Sequence, residues 1–222
     1  MVLIPQGEFY LGVDPSAKTP SQFMTDRTSS QNAQPMQKMN LDGFYIDRHE
    51  VTYEQFIKFK TSAKYEVTHF QEPIRGINWY EADAYCLWLG KRLPTEFEWE
   101  KAARGNDQRL FVWGNDFDKE YANFGRKVVP INSYKTDVSP YGVSDMNGNV
   151  AEWTTSWFQP YLNSKSTDKN YGEQFKVIRG GNTQKQKHGF LEAFVMIPYR
   201  NALPPDKRFW DVGFRCAKSA SQ

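Results

Sequence analysis

The sequence is poor in cysteine, and it lacks both a long apolar run and a block of charge of one sign. Cys86 and Cys216 are the only cysteines among 222 residues. No apolar run approaches the roughly 20 residues that cross a bilayer, so the sequence predicts no membrane-spanning segment. The 28 basic and 26 acidic residues are spread along the chain, which argues against a nucleic-acid partner.

A secretion signal is also missing from the start of the sequence. Met1 is followed at once by VLIPQGEFYLG, without the basic stretch and apolar core of a signal peptide. We therefore expect any leader or membrane tether to lie outside this sequence. The two cysteines leave two interpretations open: a pair of buried thiols in a cytosolic protein, or one long-range disulfide in an exported one.

Aromatic residues, by contrast, are abundant, at 16% of the chain. That content predicts a compact globule, because disordered segments lack the apolar surface that offsets the entropy of ordering. The length suits one domain covering residues 1–222, or at most two small ones.

Turn and capping residues divide the chain into elements. We expect strands at residues 8–13 and 43–46, with a polar surface loop at 19–37 between them. Helices are expected to begin where a capping side chain lies three residues before a Glu or Gln. These pairs are Thr52 with Gln55, Asn78 with Glu81, and Thr95 with Glu98.

The second helix has an apolar face, and the sequence changes character after the third. Ala82, Tyr85, Cys86 and Leu89 fall on one side at helical spacing, so Cys86 should point inward, and Gly90 should end the helix. Beyond Arg104, short apolar pieces alternate with Gly, Pro, Asn and Asp. This pattern predicts an α+β domain with long loops.

Several blocks together are too particular to be generic. They are IPQGEFYLG, YIDRHEVTYEQF, INWYEADAYCLWLGKRLPTEFEWEKAARG, DMNGNVAEW, VIRGG and GFRCA, in that order. In them the chain resembles the formylglycine-generating enzyme, or sulfatase-modifying factor, family. The resemblance implies an α+β, C-type-lectin-like fold with little regular secondary structure, often stabilised by calcium.

The resemblance also implies where catalysis would occur. Catalytic members carry two cysteines shortly after the glycine pair, and these hold copper, a metal that prefers thiolate. The matching positions here fall at Lys185 and at Phe190 or Leu191. We therefore expect no catalytic residue of that type and no bound copper.

Two further sites follow from the resemblance. Cys86 and Cys216 match a pair that forms a structural disulfide in the family. Asp145, Gly148, Val150 and Glu152 match a calcium site of two carboxylates and two backbone carbonyls, which suits a hard cation. The alternative for this block is a plain Asn-Gly turn with two solvated acids.

The arginine and histidine residues give weaker indications of structural or metal-binding roles. Arg200, Arg208 and Arg215 match positions where buried guanidinium groups tie loops together by forked hydrogen bonds. His49, His69 and His188 lack the spacing of metal ligands.

A scaffold without its catalytic cysteines indicates a non-catalytic, protein-binding module or accessory subunit of an extracytoplasmic complex, periplasmic or secreted, or tethered to a membrane. We expect Asn182, Gln184, Lys185, Lys187, His188 and Phe190 to contact the partner, with Phe158, Tyr161 and Phe209 beside them. The alternative is an oxidase or protein-maturation enzyme with a different active site. A calcium-dependent lectin is a third hypothesis, supported only by the fold.

Overall fold

A small antiparallel sheet joins the two ends of the chain. The computed structural model describes residues 1–14, 31–61, 69–125, 127–181 and 192–220. Strand β4 (Phe44–Ile46) lies between β1 (Val2–Ile4) and β9 (Ala217–Ser219). The strand expected at 43–46 is confirmed.

The second sheet is an antiparallel hairpin of β2 (Gly7–Leu11) and β3 (Gln37–Leu41), in which Phe9 lies opposite Met39. The strand expected at 8–13 is therefore present, and it ends two residues early. Strand β3 was not expected from the sequence, and its first residue falls in the stretch interpreted as loop.

The third sheet forms the centre of the molecule. Its order is β7 (Asn201–Leu203), β6 (Lys176–Arg179), β5 (Ala151–Trp157) and β8 (Val212–Gly213). Only the β5–β8 pair is parallel. Strands β5 and β6 are mostly buried, because helices pack against them.

Among the described residues of the first half of the chain there are three helices: α1 (Tyr53–Phe59), α2 (Trp79–Trp88) and α3 (Glu96–Arg104). Each starts with the reciprocal capping box that the sequence predicts, so all three helix starts are confirmed. The two side chains of each box satisfy amide groups that would otherwise lack partners at the helix start.

The inward face predicted for α2 is confirmed except at Leu89. Ala82, Tyr85 and Cys86 are buried, whereas Leu89 is 41% exposed. Leu89 is the C-cap residue, and Gly90 follows it with φ 66°, so the chain leaves the helix before the side chain of Leu89 can turn inward. The expected end at Gly90 is confirmed.

Beyond Arg104 the described residues contain short strands and one 3₁₀ turn, Glu192–Val195. The expected α+β class with little regular structure is therefore confirmed. Within the described ranges, no helix combines the length and apolar character needed to cross a membrane. The largest core cluster packs α1 and α2 against β5 through Phe56, Tyr85 and Trp153.

Candidate functional site

The glycine pair after β6, Gly180 and Gly181, allows a close approach of backbone. A Cβ atom on Gly181 would lie 2.5 Å from the carbonyl oxygen of Asn147 and 2.3 Å from Cγ1 of Val195. Only glycine fits such a contact. The close neighbour is therefore the protein's own core, and not a ligand.

The predicted partner-binding residues begin directly after this pair. Asn182, Gln184, Lys185, Lys187, His188 and Phe190 lie outside the described residues, so their role stays a prediction. Two of the aromatic residues expected beside them are wrong. Phe158 and Tyr161 are 2% and 5% exposed, because their rings pack around the buried guanidinium of Arg200, whereas Phe209 is half-buried.

Beneath the glycine pair lies a buried network of charges. The Nε and Nη2 groups of Arg200 donate to the two carboxylate oxygens of Glu96 at 2.7 and 2.8 Å. Arg179 contacts both Glu96 and Glu100. Glu100 also pairs with Arg104 at 3.0 Å. These forked contacts tie α3 to β6 and to the chain before β7.

The three arginines expected to tie loops together do not behave alike. Arg200 and Arg215 are buried and forked, so the expectation is confirmed for them. Arg208 makes the expected forked contact, with both carboxylate oxygens of Glu81, and it also donates to the carbonyl of Gly76. Its side chain is 51% exposed, so only the expected burial of Arg208 is wrong. The sequence reasoning missed Arg179 and Arg104, although an arginine within the apolar run VIRGG indicates a buried partner.

A disulfide joins Cys86 of α2 to Cys216, just before β9, with Cα atoms 5.6 Å apart. The expected pairing is confirmed, and the alternative of two buried thiols is wrong. Neither cysteine is free, so no thiolate is available to bind copper or to act as a nucleophile.

The predicted calcium block contacts Arg215 and Trp99 of helix α3 through Glu152. Asp145 is 4% exposed and Glu152 is fully buried, so the alternative of two solvated acids is wrong. The Oδ2 atom of Asp145 accepts a hydrogen bond from the backbone of Asn132 at 2.8 Å. Both carboxylate oxygens of Glu152 accept from Arg215, at 2.7 Å each.

Gly148 of this block is needed for packing and not for a positive φ angle. The positive φ angles belong to Asp145 (59°) and Asn149 (69°). A Cβ atom on Gly148 would come within 2.8 Å of the backbone oxygen of Asn123. Glycine is therefore required for close packing of two loops.

Two more carboxylates of this region were missed. Glu50 is fully buried, and neither of its carboxylate oxygens has a hydrogen-bond partner among the described residues. Burial, and next the charge of Asp145, raise the pKa of Glu50 well above its usual value. Burial and Asp145 likewise raise the pKa of Asp137 to about 7, although backbone amides of Asn147 and Met146 oppose the shift.

Four buried carboxylates lie in this region. Glu50, Asp137, Asp145 and Glu152 act on one another electrostatically, and Arg215 is the guanidinium that opposes them. Buried carboxylates normally find a counter-charge or a metal. In the part of the chain that the structure describes, no three His, Cys, Asp or Glu side chains form a complete metal cage. Backbone carbonyls would thus have to complete any oxygen shell.

Known proteins are similar to this chain in sequence and in fold. The sulfatase-modifying factor enzyme 1-like domain family matches residues 1–220. Serine/threonine-protein kinase pkn1 of Chlamydia caviae is 30% identical over 98% of this chain and 38% of its own length. Inactive C-alpha-formylglycine-generating enzyme 2 of Mus musculus is 34% identical over 68% of this chain and 50% of its own length. The chain thus spans half or less of these relatives.

Treponema denticola variable protein 1 has a similar structure, with a TM-score of 0.76, 22% identity, and coverage of 99% of this chain and 94% of that one. Identity this low shows the fold alone, which is the α+β, C-type-lectin-like fold expected from the sequence. With a family match over almost its whole length, the chain belongs to the sulfatase-modifying factor enzyme 1-like domain family.

Proposed function

We propose that this chain is a non-catalytic member of its family, acting as a protein-binding domain or accessory subunit of an extracytoplasmic complex. The observation that carries the proposal is the use of both cysteines in one disulfide, which leaves no thiol for the copper chemistry of formylglycine-generating enzymes. The similarity to a mouse protein named inactive C-alpha-formylglycine-generating enzyme 2 supports the absence of catalysis.

Metal analysis of the purified protein tests the absence of catalysis. We expect no stoichiometric copper or iron, and no conversion of cysteine to formylglycine in a sulfatase-derived peptide. Stoichiometric copper or iron that supports oxidation of any peptide would overturn the proposal and favour the alternative, an oxidase or maturation enzyme with a different active site.

The segment from Asn182 to Phe190 is the proposed partner-binding surface. It follows a rigid support, because the glycine pair before it is packed against the core, and variable loops on rigid bases commonly bind partners. Replacing residues 182–190 with a Gly/Ser linker should abolish copurification of the native partner and leave the unfolding temperature within a few degrees.

A loop replacement elsewhere provides the matched control. The same type of linker in place of residues 164–170, which are exposed or half-buried, should leave copurification unchanged. Equal loss of the partner from both variants, or from neither, would place the binding surface outside residues 182–190.

We also propose that calcium stabilises the domain. Asp145 and Glu152, with the carbonyls of Gly148 and Val150, would hold the ion, and it would supply the positive charge that the neighbouring carboxylates lack. Calcium at 100 times its dissociation constant would stabilise the fold by about 2.7 kcal/mol. We expect thermal unfolding to shift upward with calcium and back after chelation.

A substitution that keeps the backbone conformation tests this site. Asp145→Asn should abolish the calcium-dependent shift, because asparagine tolerates a positive φ but carries no charge. Asp206→Asn is the control, since Asp206 pairs with Lys207 at the surface, and it should retain the shift. A full shift in Asp145→Asn would exclude the site.

The disulfide supports residence in an oxidising compartment. We propose a periplasmic or secreted protein, or one tethered to a membrane by a segment outside this sequence. Alkylation of freshly lysed native cells under non-reducing conditions should leave both cysteines unmodified. Their quantitative modification would show that the thiols are reduced in the cell and would contradict this localisation.

A further inference from the structure

A groove beside the β2–β3 hairpin is lined by residues that belong to neither proposed site. Its volume is about 600 Å³, within the range of pockets that bind ligands. Most of its wall is apolar, formed by Met39, Phe97, Trp157, Tyr161 and Leu162. None of these residues belongs to the calcium block or to residues 182–190.

The edge of strand β3 forms one side of this groove. Gln37, Lys38 and Met39, three consecutive residues, all border it. Successive side chains of a strand point to opposite faces, so three in a row can border one groove only along the strand's edge. The side chain of Lys38 indeed lies on the opposite face, 3.6 Å from Glu8 and above the ring of Tyr10. Lys38 therefore presents its backbone to the groove.

The hydrogen-bonding pattern gives the direction of that backbone. Lys38 lies opposite Tyr10, and the carbonyl of Tyr10 accepts a hydrogen bond from Arg104 at 2.8 Å, on the side away from β3. Tyr10 and Lys38 thus form a pair whose polar backbone groups point away from each other. The N–H and C=O of Lys38 consequently point outward from the hairpin.

The two edges of the hairpin differ in how they are covered. On the β2 side, Gly12 donates to Glu100 and its carbonyl accepts from Arg104, so α3 satisfies that edge. On the β3 side, within the described residues, no hydrogen bond reaches the backbone of Lys38 or Asn40 from outside the hairpin. An unpaired edge beside an apolar groove is the arrangement used to bind an added strand.

Charge at the groove distinguishes the possible occupants. Glu96 is already neutralised by Arg200 and Arg179. Glu173 borders the groove, is exposed, and forms no ion pair among the described residues. Lys176 acts on this carboxylate electrostatically but forms no ion pair with it, so the groove offers one exposed carboxylate with which a basic side chain can pair.

We propose that this groove binds an extended peptide segment of another protein, which pairs with the edge of β3. An apolar side chain of the peptide enters the groove and a basic side chain lies beside Glu173. Backbone pairing supplies affinity, and the groove selects the side chains. This second binding surface does not depend on the proposed role of residues 182–190.

Short random peptides displayed on phage are the probe. Selection on the purified domain should enrich sequences with a bulky apolar residue and a nearby Lys or Arg. Lys38→Pro removes the outward N–H but no hydrogen bond to β2, and proline is tolerated at such an edge position. It should weaken binding of a selected synthetic peptide roughly tenfold or more, whereas Lys38→Ala, which keeps the N–H, should bind normally.

A change in the peptide keeps the test decisive if Lys38→Pro fails to fold. N-methylation of alternate peptide amides should abolish binding in one register and leave it intact in the other, as strand pairing requires. Glu173→Gln should weaken binding of basic peptides only. Failure to enrich any peptide, equal binding to Lys38→Pro and Lys38→Ala, or indifference to N-methylation would overturn the proposal. The proposal would also be overturned if Leu162→Ala abolished peptide binding while Lys38→Pro and Glu173→Gln left it unchanged. That result would indicate a pocket for small apolar molecules.

Discussion

Three glutamates of helix α3 have different environments although they lie within five residues. Glu96 and Glu100, one turn apart, face the core and are enclosed by arginines. Glu98, between them, is also largely buried, but it caps the helix and pairs with Arg92, whose side chain is 33% exposed. Because the cost of losing an ion pair depends on how far the remaining partner is desolvated, chemically identical residues differ in their contribution to stability.

Substitutions of Glu96 and Glu98 should lower the free energy of unfolding by different amounts. Glu96→Gln should lower the free energy of unfolding by about 3 to 5 kcal/mol, because it leaves buried guanidinium charge of Arg200 and Arg179 uncompensated. Glu98→Gln should cost at most about 1 kcal/mol, since its ion pair is partly exposed and glutamine keeps the capping oxygen. Urea denaturation of both variants measures the difference. Equal losses would contradict the distinction between them.

At the scale of single elements, local chemistry made the helices predictable and non-local pairing made one strand unpredictable. Each capping box acts within four residues, so Thr52, Asn78 and Thr95 could be recognised from the sequence alone. Strand β3 carries weak strand formers, and it is defined by pairing with β2, which lies across a long intervening segment. Such pairing cannot be inferred from local propensity.

The residues of the candidate sites likewise divide into those that the sequence could predict and those that it could not. The disulfide and the acids of the calcium block lie in motifs and could be placed by resemblance. Glu50 and Asp137 could not, because their burial depends on how distant loops pack around them. The exposure of Arg208 was mispredicted for a related reason, since only the packed structure shows that it pairs at the surface with Glu81.

The second prediction concerns the start of α2. Partial burial would raise the pKa of Glu81, but hydrogen bonds from Arg208 and Lys60 lower it below its usual value. Because the folded-state pKa is depressed, this ion cluster stabilises the protein above the unfolded pKa of about 4.3, and the contribution is lost as pH falls through the folded pKa. Glu81→Gln should therefore cost about 0.5 to 1 kcal/mol at neutral pH and nothing in stronger acid.

Unfolding free energies across a pH series measure this effect. Glutamine at position 81 keeps the oxygen of the capping box, so loss of the cap does not confound the comparison. Arg208→Gln should reproduce most of the neutral-pH loss, because it removes one of the two cations. A loss that is constant with pH would exclude the ion cluster as its cause.

At the scale of the whole molecule, the two ends of the chain depend on each other. Strand β4 pairs with both β1 and β9, and the disulfide near β9 connects this sheet to helix α2 over a sequence separation of 130. A chain with so many loops between short elements has much conformational entropy to lose on folding. A crosslink that spans half the chain reduces that entropy in the unfolded state.

Removal of this crosslink should lower the stability of the fold. Closing a loop of such length should stabilise the fold by about 3 to 5 kcal/mol, of the same order as the buried Glu96 contacts. The double variant Cys86→Ser with Cys216→Ser should show this loss in urea denaturation, and reduction of the wild-type protein should give a similar value. Reducing agent added to the double variant is the control and should change nothing. The crosslink acts mainly on the unfolded chain. The double variant should therefore retain the native circular dichroism spectrum in the absence of denaturant. A changed native spectrum would mean that the disulfide instead shapes the folded structure.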